Sequence, residues 1–307
     1  MEKKVVYCID KNFKEIAAVS VYSLNKVNPY LHDISWIIPA SEKQVIGDFL
    51  HSLKPEIFNT INLIPLEDLD TERFRVSGHV STATYLRLFI CKLINASKIL
   101  YIDADTLILG QLDELFDNDL DNSLVAGVEE VGGGPRGGIP RDQSDPYINA
   151  GILLINLDAL RAIDFEGKVI DVLEQYSHQL VYWDQCIINK IAESKKKLLP
   201  ANWNVMIPCN LITHTDFSAH TSSNFAKIMH FAGAIKPWQD WCQPHVASFW
   251  RKFAAQVDGL NFEPVKITNL NQMLIFANGR DLDGDFQTAS RVKGKIIQIM
   301  SSSIQKG

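Results

Sequence analysis

The sequence predicts an open α/β sheet flanked by helices, with a ligand held at the carboxyl ends of the strands. Two observations carry this expectation. Short apolar runs alternate with longer amphipathic stretches through the N-terminal third, the pattern of successive strand–helix units. One of those runs, Lys98-Ile99-Leu100-Tyr101-Ile102, ends in two carboxylates one residue apart, Asp103 and Asp105. Side chains alternate faces along an extended chain, so both are expected to point the same way. Two oxygen ligands set like this can hold a hard divalent cation, and such a cation can neutralise a diphosphate. The spacing by itself is weak, since it recurs at Asp68/Asp70, Asp117/Asp119, Asp119/Asp121, Asp281/Asp283 and Asp283/Asp285. None of those pairs follows a comparable apolar strand.

Taken in order, Val5 to Ile9 reads as a first strand, Ile16 to Leu24 as a helix and Ile34 to Ile38 as a second strand. Glu42 to Leu53 has helical spacing, Ile61 to Ile64 makes a third strand, and Thr82 to Leu93 suggests a helix before the strand that ends at Asp103. After Leu124 to Val128 comes a glycine- and proline-rich stretch, Gly132 to Pro146. Its Gly132-Gly133-Gly134-Pro135-Arg136-Gly137 matches G-x-G-x-x-G, but a dinucleotide loop needs a helix directly afterwards and Gly138-Ile139-Pro140 follows instead. A flexible loop or lid beside the site is the expectation. Asp281 to Asp285 resembles half a calcium loop, yet Val292 stands where the twelfth-position Glu belongs, so it reads as an acidic turn. Beyond about Phe253 the pattern weakens, which divides the chain into a main domain over 1–252 and a C-terminal appendage over 253–307.

Composition narrows the class. At 307 residues, 46% hydrophobic and 21% charged, the chain is that of a soluble globular protein with a large core. A net charge of -6 argues against nucleic acid as a partner, and Lys195-Lys196-Lys197 reads as a solvated helix end. The N-terminus passes straight into the first strand without a signal-type apolar run. No apolar run approaches the ~20 residues of a membrane span. Five scattered cysteines without a Cys-x-x-Cys pair fit reduced thiols in a cytoplasmic protein.

Four motifs then occur in a telling order: Thr84-Tyr85-Leu86-Arg87-Leu88, Leu100-Tyr101-Ile102-Asp103-Ala104-Asp105, Asn149-Ala150-Gly151-Ile152-Leu153-Leu154-Ile155-Asn156-Leu157, and His230-Phe231-Ala232-Gly233-Ala234-Ile235-Lys236-Pro237-Trp238. With Asp10-Lys11-Asn12-Phe13 they span about residues 1–240, and together the chain resembles glycosyltransferase family 8. That family of retaining transferases includes bacterial lipooligosaccharide galactosyl- and glucosyltransferases and glycogenin. The resemblance implies a GT-A fold, an open mixed sheet flanked by helices that binds a nucleotide-sugar.

It also implies roles. Asp103, Asp105 and His230 are the expected ligands of Mn²⁺, with Mg²⁺ as the alternative ion; two hard oxygens and an imidazole suit Mn²⁺ better. Asp10, Asn12 and Phe13 sit where the family holds the nucleoside, with the aromatic ring stacking on the base; read structurally, the same residues make an Asx-type turn after a strand. Ala104, Arg87, Asn149, Ala150 and Gly233 complete the expected donor site. Lys236 would neutralise the leaving group. Asp184 would bind sugar hydroxyls and Gln185 would lie nearest the anomeric carbon, making Gln185, Asp184 and Lys236 the expected catalytic residues. His79 and Glu129 would flank the acceptor mouth.

The activity so implied is transfer of galactose or glucose from a UDP-sugar to a hydroxyl of a glycan, lipooligosaccharide or glycoprotein. Because an amide at Gln185 is a poor nucleophile, front-face transfer is expected over a covalent route. Two alternatives stand beside it: a non-catalytic UDP-sugar- or glycan-binding protein on the same fold, and a haloacid-dehalogenase-type phosphatase, whose Asp-x-Asp also follows an apolar strand but prefers Thr or Val where this chain has Leu107. The basic, apolar tail from Arg291 to Lys306 suggests weak peripheral contact with the inner face of the cytoplasmic membrane.

Overall fold

The computed structural model describes residues 3–304 except 55, 68, 70–73, 75, 77–80, 136, 223 and 224. The sequence readings at Asp68, Asp70, His79, Arg136 and Lys306 therefore lie outside the described residues. In chain order the first elements are β1 (Lys4–Cys8), α1 (Lys14–Val27), β2 (Asp33–Pro39), α2 (Lys43–Ser52), α3 (Glu56–Asn59) and β3 (Asn62–Leu66). The expected helix over Thr82 to Leu93 is instead a 3₁₀ helix, Thr82–Phe89, that passes into one α turn, α4 (Ile90–Leu93). The backbone closes at the tighter i to i+3 spacing at both ends, with Thr84 N–H donating to the Ser81 carbonyl at 3.2 Å and Ile90 N–H to the Arg87 carbonyl.

Next come β4 (Lys98–Ile102), β5 (Thr106–Ile108), α5 (Asp113–Phe116), β6 (Val125–Glu129), β7 (Ile148–Asn156), α6 (Leu157–Ala162), α7 (Phe165–Tyr176), α8 (Trp183–Ile191) and β8 (Lys196–Leu198). The chain ends through β9 (Val205–Met206), α9 (His214–Ser222), β10 (Ile228–His230), α10 (Pro244–Ala254), α11 (Leu270–Leu282) and α12 (Phe286–Ile304).

Seven strands form one mixed sheet in the order β3-β2-β1-β4-β7-β6-β8. Strands β3, β2, β1 and β4 run parallel, whereas β7 is antiparallel to both β4 and β6. The apolar strands owe their character to being covered on both faces. Leu100 and Ile102 of β4 pack with Ile152 and Leu154 of β7 into one core, while Ile99 and Tyr101 join Leu153 and Ile155 in the other. A three-stranded sheet, β5-β10-β9, carries the chain back to the sheet centre.

The glycine-rich segment makes no regular element among its described residues, and the turns and bends of residues 131–147 are closed at the base by Glu130 N–H donating to the Tyr147 carbonyl at 2.8 Å. The expected division after residue 252 falls inside α10, whose Ala254 is buried together with the later Val257 in the main core. The hairpin of α11 and α12, in which Ala277, Gly279 and Ala289 are the buried residues among those described, packs against the start of α10, where His245 Nδ1 lies 3.3 Å from Asp283 Oδ2.

Candidate functional site

The site forms where β4 stops. The chain leaves the strand at Ile102 and bends through Asp103 to Asp105 before re-entering a strand at Thr106. The two carboxylates therefore do not converge through extended-strand alternation, as their spacing suggests. The bend does it, held by Asp103 N–H donating to Gly151 O at 2.7 Å and Thr106 Oγ1 donating to Asp103 O at 2.9 Å.

His230 arrives by strand pairing. β10 runs antiparallel to β5 with His230 opposite Thr106, the residue next to Asp105, so a histidine 125 positions away in sequence reaches the aspartates. Its Nε2 lies 3.4 Å from Asp105 Oδ1 and 3.8 Å from Asp103 Oδ2. One potential ligand atom from each of Asp103, Asp105 and His230 falls within 4.8 Å of the others.

A chain of hydrogen bonds determines which face of the imidazole is presented. Gly151 N–H donates to Asn149 Oδ1 at 2.9 Å, and Asn204 Nδ2 donates to the same oxygen at 2.9 Å. Asn204 Oδ1 is thereby turned to His230 Nδ1, 3.0 Å away, which must carry the proton. Nε2 is left facing two carboxylates, and once free of its proton it completes with them a set of three donor atoms for a cation. The donor set thus fits a divalent ion. Gly151 is required here, because a Cβ at that position would overlap the His230 ring.

Arg87 braces the opposite side. Nη2 lies 2.8 Å from Asp103 Oδ1, Nε lies 3.0 Å from Asp184 Oδ2, and Nη1 donates to Ala150 O at 2.7 Å. The guanidinium rests 4.5 Å from the centroid of the Tyr101 ring, whose hydroxyl donates to Asp103 Oδ1 at 2.5 Å. Burial works against the charge of Arg87, but Asp103 and Asp184 outweigh it and raise its pKa. Burial pushes the Asp184 carboxyl up, opposed by Arg87 and by a hydrogen bond from Thr84 Oγ1 at 2.5 Å. Burial also disfavours the charge on Asp105, yet Lys236 and His230 hold its carboxyl well below the usual carboxylate range.

Two confluent cavities adjoin this cluster, and Thr84, Arg87, Asp103, Asp105 and Lys236 line both. The smaller, about 150 Å³, is bounded by Cys8, Asp10, Phe13 and Ala104. Asp10 Oδ1 accepts from the backbone N–H groups of Asn12 at 2.9 Å and Phe13 at 3.2 Å, the Asx turn that the residues by themselves suggest. Phe13 turns its ring edge-to-face toward Trp238 at 6.2 Å. Asn12 is exposed and lies outside the cavity lining.

The larger cavity, about 410 Å³, gathers Asn149, Ala150, Asp184, Gln185, His230, Gly233 and Lys236, which are widely separated in sequence. α8 is pinned to β7 by Asn189, whose amide exchanges hydrogen bonds of 2.8 Å with both backbone groups of Ile148. The helix opens at Trp183 with a left-handed φ of 39°, which turns Asp184 inward. Gly233 has φ +91°, a conformation that favours glycine, in the loop carrying Lys236.

Glu129 is exposed and does not line the cavity; its neighbour Glu130 does. Adjacent residues leaving a strand point to opposite sides, so the one-residue offset exchanges solvent for site. His79 lies outside the described residues. Sequence reasoning passed over Glu130, Asn204 and Thr84. Thr84 lies in a motif that was legible, while no local pattern marks the other two.

A mixed α/β sheet with two aspartates and a histidine gathered at its centre defines a GT-A glycosyltransferase fold. The galactosyltransferase LgtC, solved in complex with donor and acceptor sugar analogs, shares this fold at a TM-score of 0.69 and 24% identity, over 83% of this chain and 96% of that one. The sequence profile of glycosyl transferase family 8 matches residues 4–242, and the chain belongs to that family. Among curated relatives, glycosyltransferase GlyB of Streptococcus pneumoniae is 30% identical over 62% of this chain, which spans 46% of GlyB's length. A lipopolysaccharide 1,2-glucosyltransferase of Escherichia coli is 26% identical over 80% of this chain and 76% of its own. Family membership overturns the phosphatase reading.

Proposed function

We propose that this protein transfers galactose or glucose from a UDP-sugar to a hydroxyl of a glycan, glycolipid or glycoprotein, with retention at the anomeric carbon. The observation that carries the reading is the Asp103–Asp105–His230 cluster at the junction of two cavities, one suited to a nucleoside and one to a sugar. When bound there, a divalent cation supplies Lewis-acid neutralisation of diphosphate charge. The imidazole beside two carboxylates favours Mn²⁺ over Mg²⁺.

The chain's own groups do the rest. Phe13 offers a ring for the base and the free oxygen of Asp10 an acceptor for its imide. Lys236 places an ammonium where the departing diphosphate gains charge. Arg87 holds Asp103 and Asp184 in place rather than offering a free cation to the sugar. The buried pairing of Asp184 with Arg87 and Thr84 disfavours its use as a nucleophile, and an amide stands at Gln185. Both support front-face transfer, in which a phosphate oxygen of the departing UDP accepts the proton of the attacking hydroxyl. Turnover of a panel of UDP-sugars, with NMR of the product anomer, tests the reading. Binding of UDP-sugars without hydrolysis or transfer would instead favour a non-catalytic binding protein.

A second surface bears on where the acceptor resides. Among the described residues no helix is long and apolar enough to cross a membrane. Yet Phe286, Ile297 and Met300 of α12 are exposed on one face, with Arg291 and Lys295 on the polar side of the same helix. That amphipathic surface favours weak contact with an anionic lipid face, which in a cytoplasmic protein is the inner face of the membrane.

A further inference from the structure

Both amide side chains of the larger cavity converge on one carboxylate oxygen. Glu130 Oε2 accepts from Asn149 Nδ2 at 2.8 Å and from Gln185 Nε2 at 2.9 Å. Its other oxygen accepts the Val131 N–H at 3.1 Å. The remaining atoms of the two amides are already assigned: Gln185 Oε1 takes the Ala150 N–H at 2.8 Å, and Asn149 Oδ1 takes Gly151 N–H and Asn204 Nδ2. An amide with its oxygen committed to the backbone can point only its NH₂ elsewhere. Glu130 is the group that receives it, in both cases.

We infer that Glu130 is a positioning residue for glycosyl transfer, a clamp that locks the amide orientations of Gln185 and Asn149. Through Asn149 the lock continues to Asn204 and the tautomer of His230. One carboxylate thereby couples the sugar side of the site to the cation side. This rests on the transfer reading above. The clamp acts through hydrogen-bond acceptance and not through charge, because its three donors are all neutral and no cation among the described residues pairs with Glu130. A glutamine at this position keeps an oxygen that can accept from both amides. It loses only the bond to Val131, which is exposed and can turn its N–H to water.

The test compares Glu130→Ala with Glu130→Gln in the full-length protein. Two readouts are used: the ¹H–¹⁵N signals of the Gln185 and Asn149 side-chain amides without ligand, and UDP release from UDP-galactose and UDP-glucose. In Glu130→Ala both amide signals should move and broaden, and kcat should fall ~10–100-fold, the scale expected for misplaced groups near the reacting centre. At saturating Mn²⁺, KM for the donor should stay within ~3-fold, because Glu130 neither lines the smaller cavity nor belongs to the Asp103, Asp105 and His230 group. Glu130→Gln should restore the amide signals and most of kcat. Unmoved amide signals in Glu130→Ala would overturn the clamp. So would a Glu130→Gln variant as slow as Glu130→Ala, which would assign the carboxylate charge a direct part. Should the unaltered protein release no UDP from either donor, the transfer reading fails, while the amide signals still decide whether Glu130 holds the two side chains.

Discussion

The ammonium of Lys236 lies 2.5 Å from Asp105 Oδ2 and 2.9 Å from the carbonyl of Phe231, with its side chain almost fully buried. A positive charge thus already stands against one of the carboxylates proposed to hold a divalent ion. The loop that carries Gly233 and Lys236 sets that charge in the lining of both neighbouring cavities.

Lys236 and the ion are therefore expected to compete for Asp105 in the absence of nucleotide. Lys236→Met should tighten Mn²⁺ binding several-fold, read by electron paramagnetic resonance of free Mn²⁺. The same variant should lower transfer by ~100-fold, since the leaving diphosphate loses its ammonium. Weaker Mn²⁺ binding by Lys236→Met would contradict the competition.

Asp105→Ala and His230→Ala are each expected to cost at least ~100-fold in rate, and EDTA should abolish activity reversibly. Asn204→Ala leaves all three ligand residues intact but frees the His230 ring, so metal affinity should fall ~10–100-fold. Calorimetric titration with Mn²⁺ measures this, and wild-type affinity in Asn204→Ala would show that the ring needs no such support.

UDP should raise the melting temperature only together with Mn²⁺. At a UDP concentration ~100 times its Kd the gain is about 2.7 kcal/mol, a shift of several degrees. Equal protection by ADP or GDP would remove the Asp10 and Phe13 pocket from the uracil role.

Gln185→Ala should slow transfer by ~10-fold without abolishing it, because this residue orients rather than attacks. Asp184→Asn should be more severe and should also lower the melting temperature, since it strips the buried Arg87 of one of its two carboxylate partners. A sugar trapped on Asp184, visible by intact mass, would replace the front-face route with a covalent one.

Liposomes of anionic lipid should sediment the full chain more than a chain ending at Thr288. Few basic residues take part, at about 1 kcal/mol each, so the difference should be modest and should vanish at high salt. Equal sedimentation by both forms would remove α12 from membrane contact.

By itself the sequence determined the sheet and the metal-binding candidates. Apolar runs buried on both faces are visible as runs, which made β1, β2 and β4 legible, and β3, a partly exposed edge strand, showed as a shorter apolar run; the motifs around Asp103, Asn149 and His230 carried the family. Elements that depend on local hydrogen-bond closure were not legible in this way: the Thr82–Phe89 segment has apolar spacing that fits either helix type, and it is the backbone bonds from Thr84 N–H to Ser81 O and from Ile90 N–H to Arg87 O that mark it as 3₁₀. Likewise the convergence of Asp103 and Asp105 comes from a bend held by Gly151 of another strand. Only the tertiary structure could bring β10 against β5 so that His230 faces Asp105, and only it could choose Glu130 over Glu129, because a single-residue offset past a strand end decides which side chain meets the cavity. Asn204 and Glu130 act through partners 26 and 55 positions away, in His230 and Gln185. Hydrogen-bond partners that far apart leave no periodicity in a chain; they exist only once packing has placed a lone acceptor beside the donors that need it.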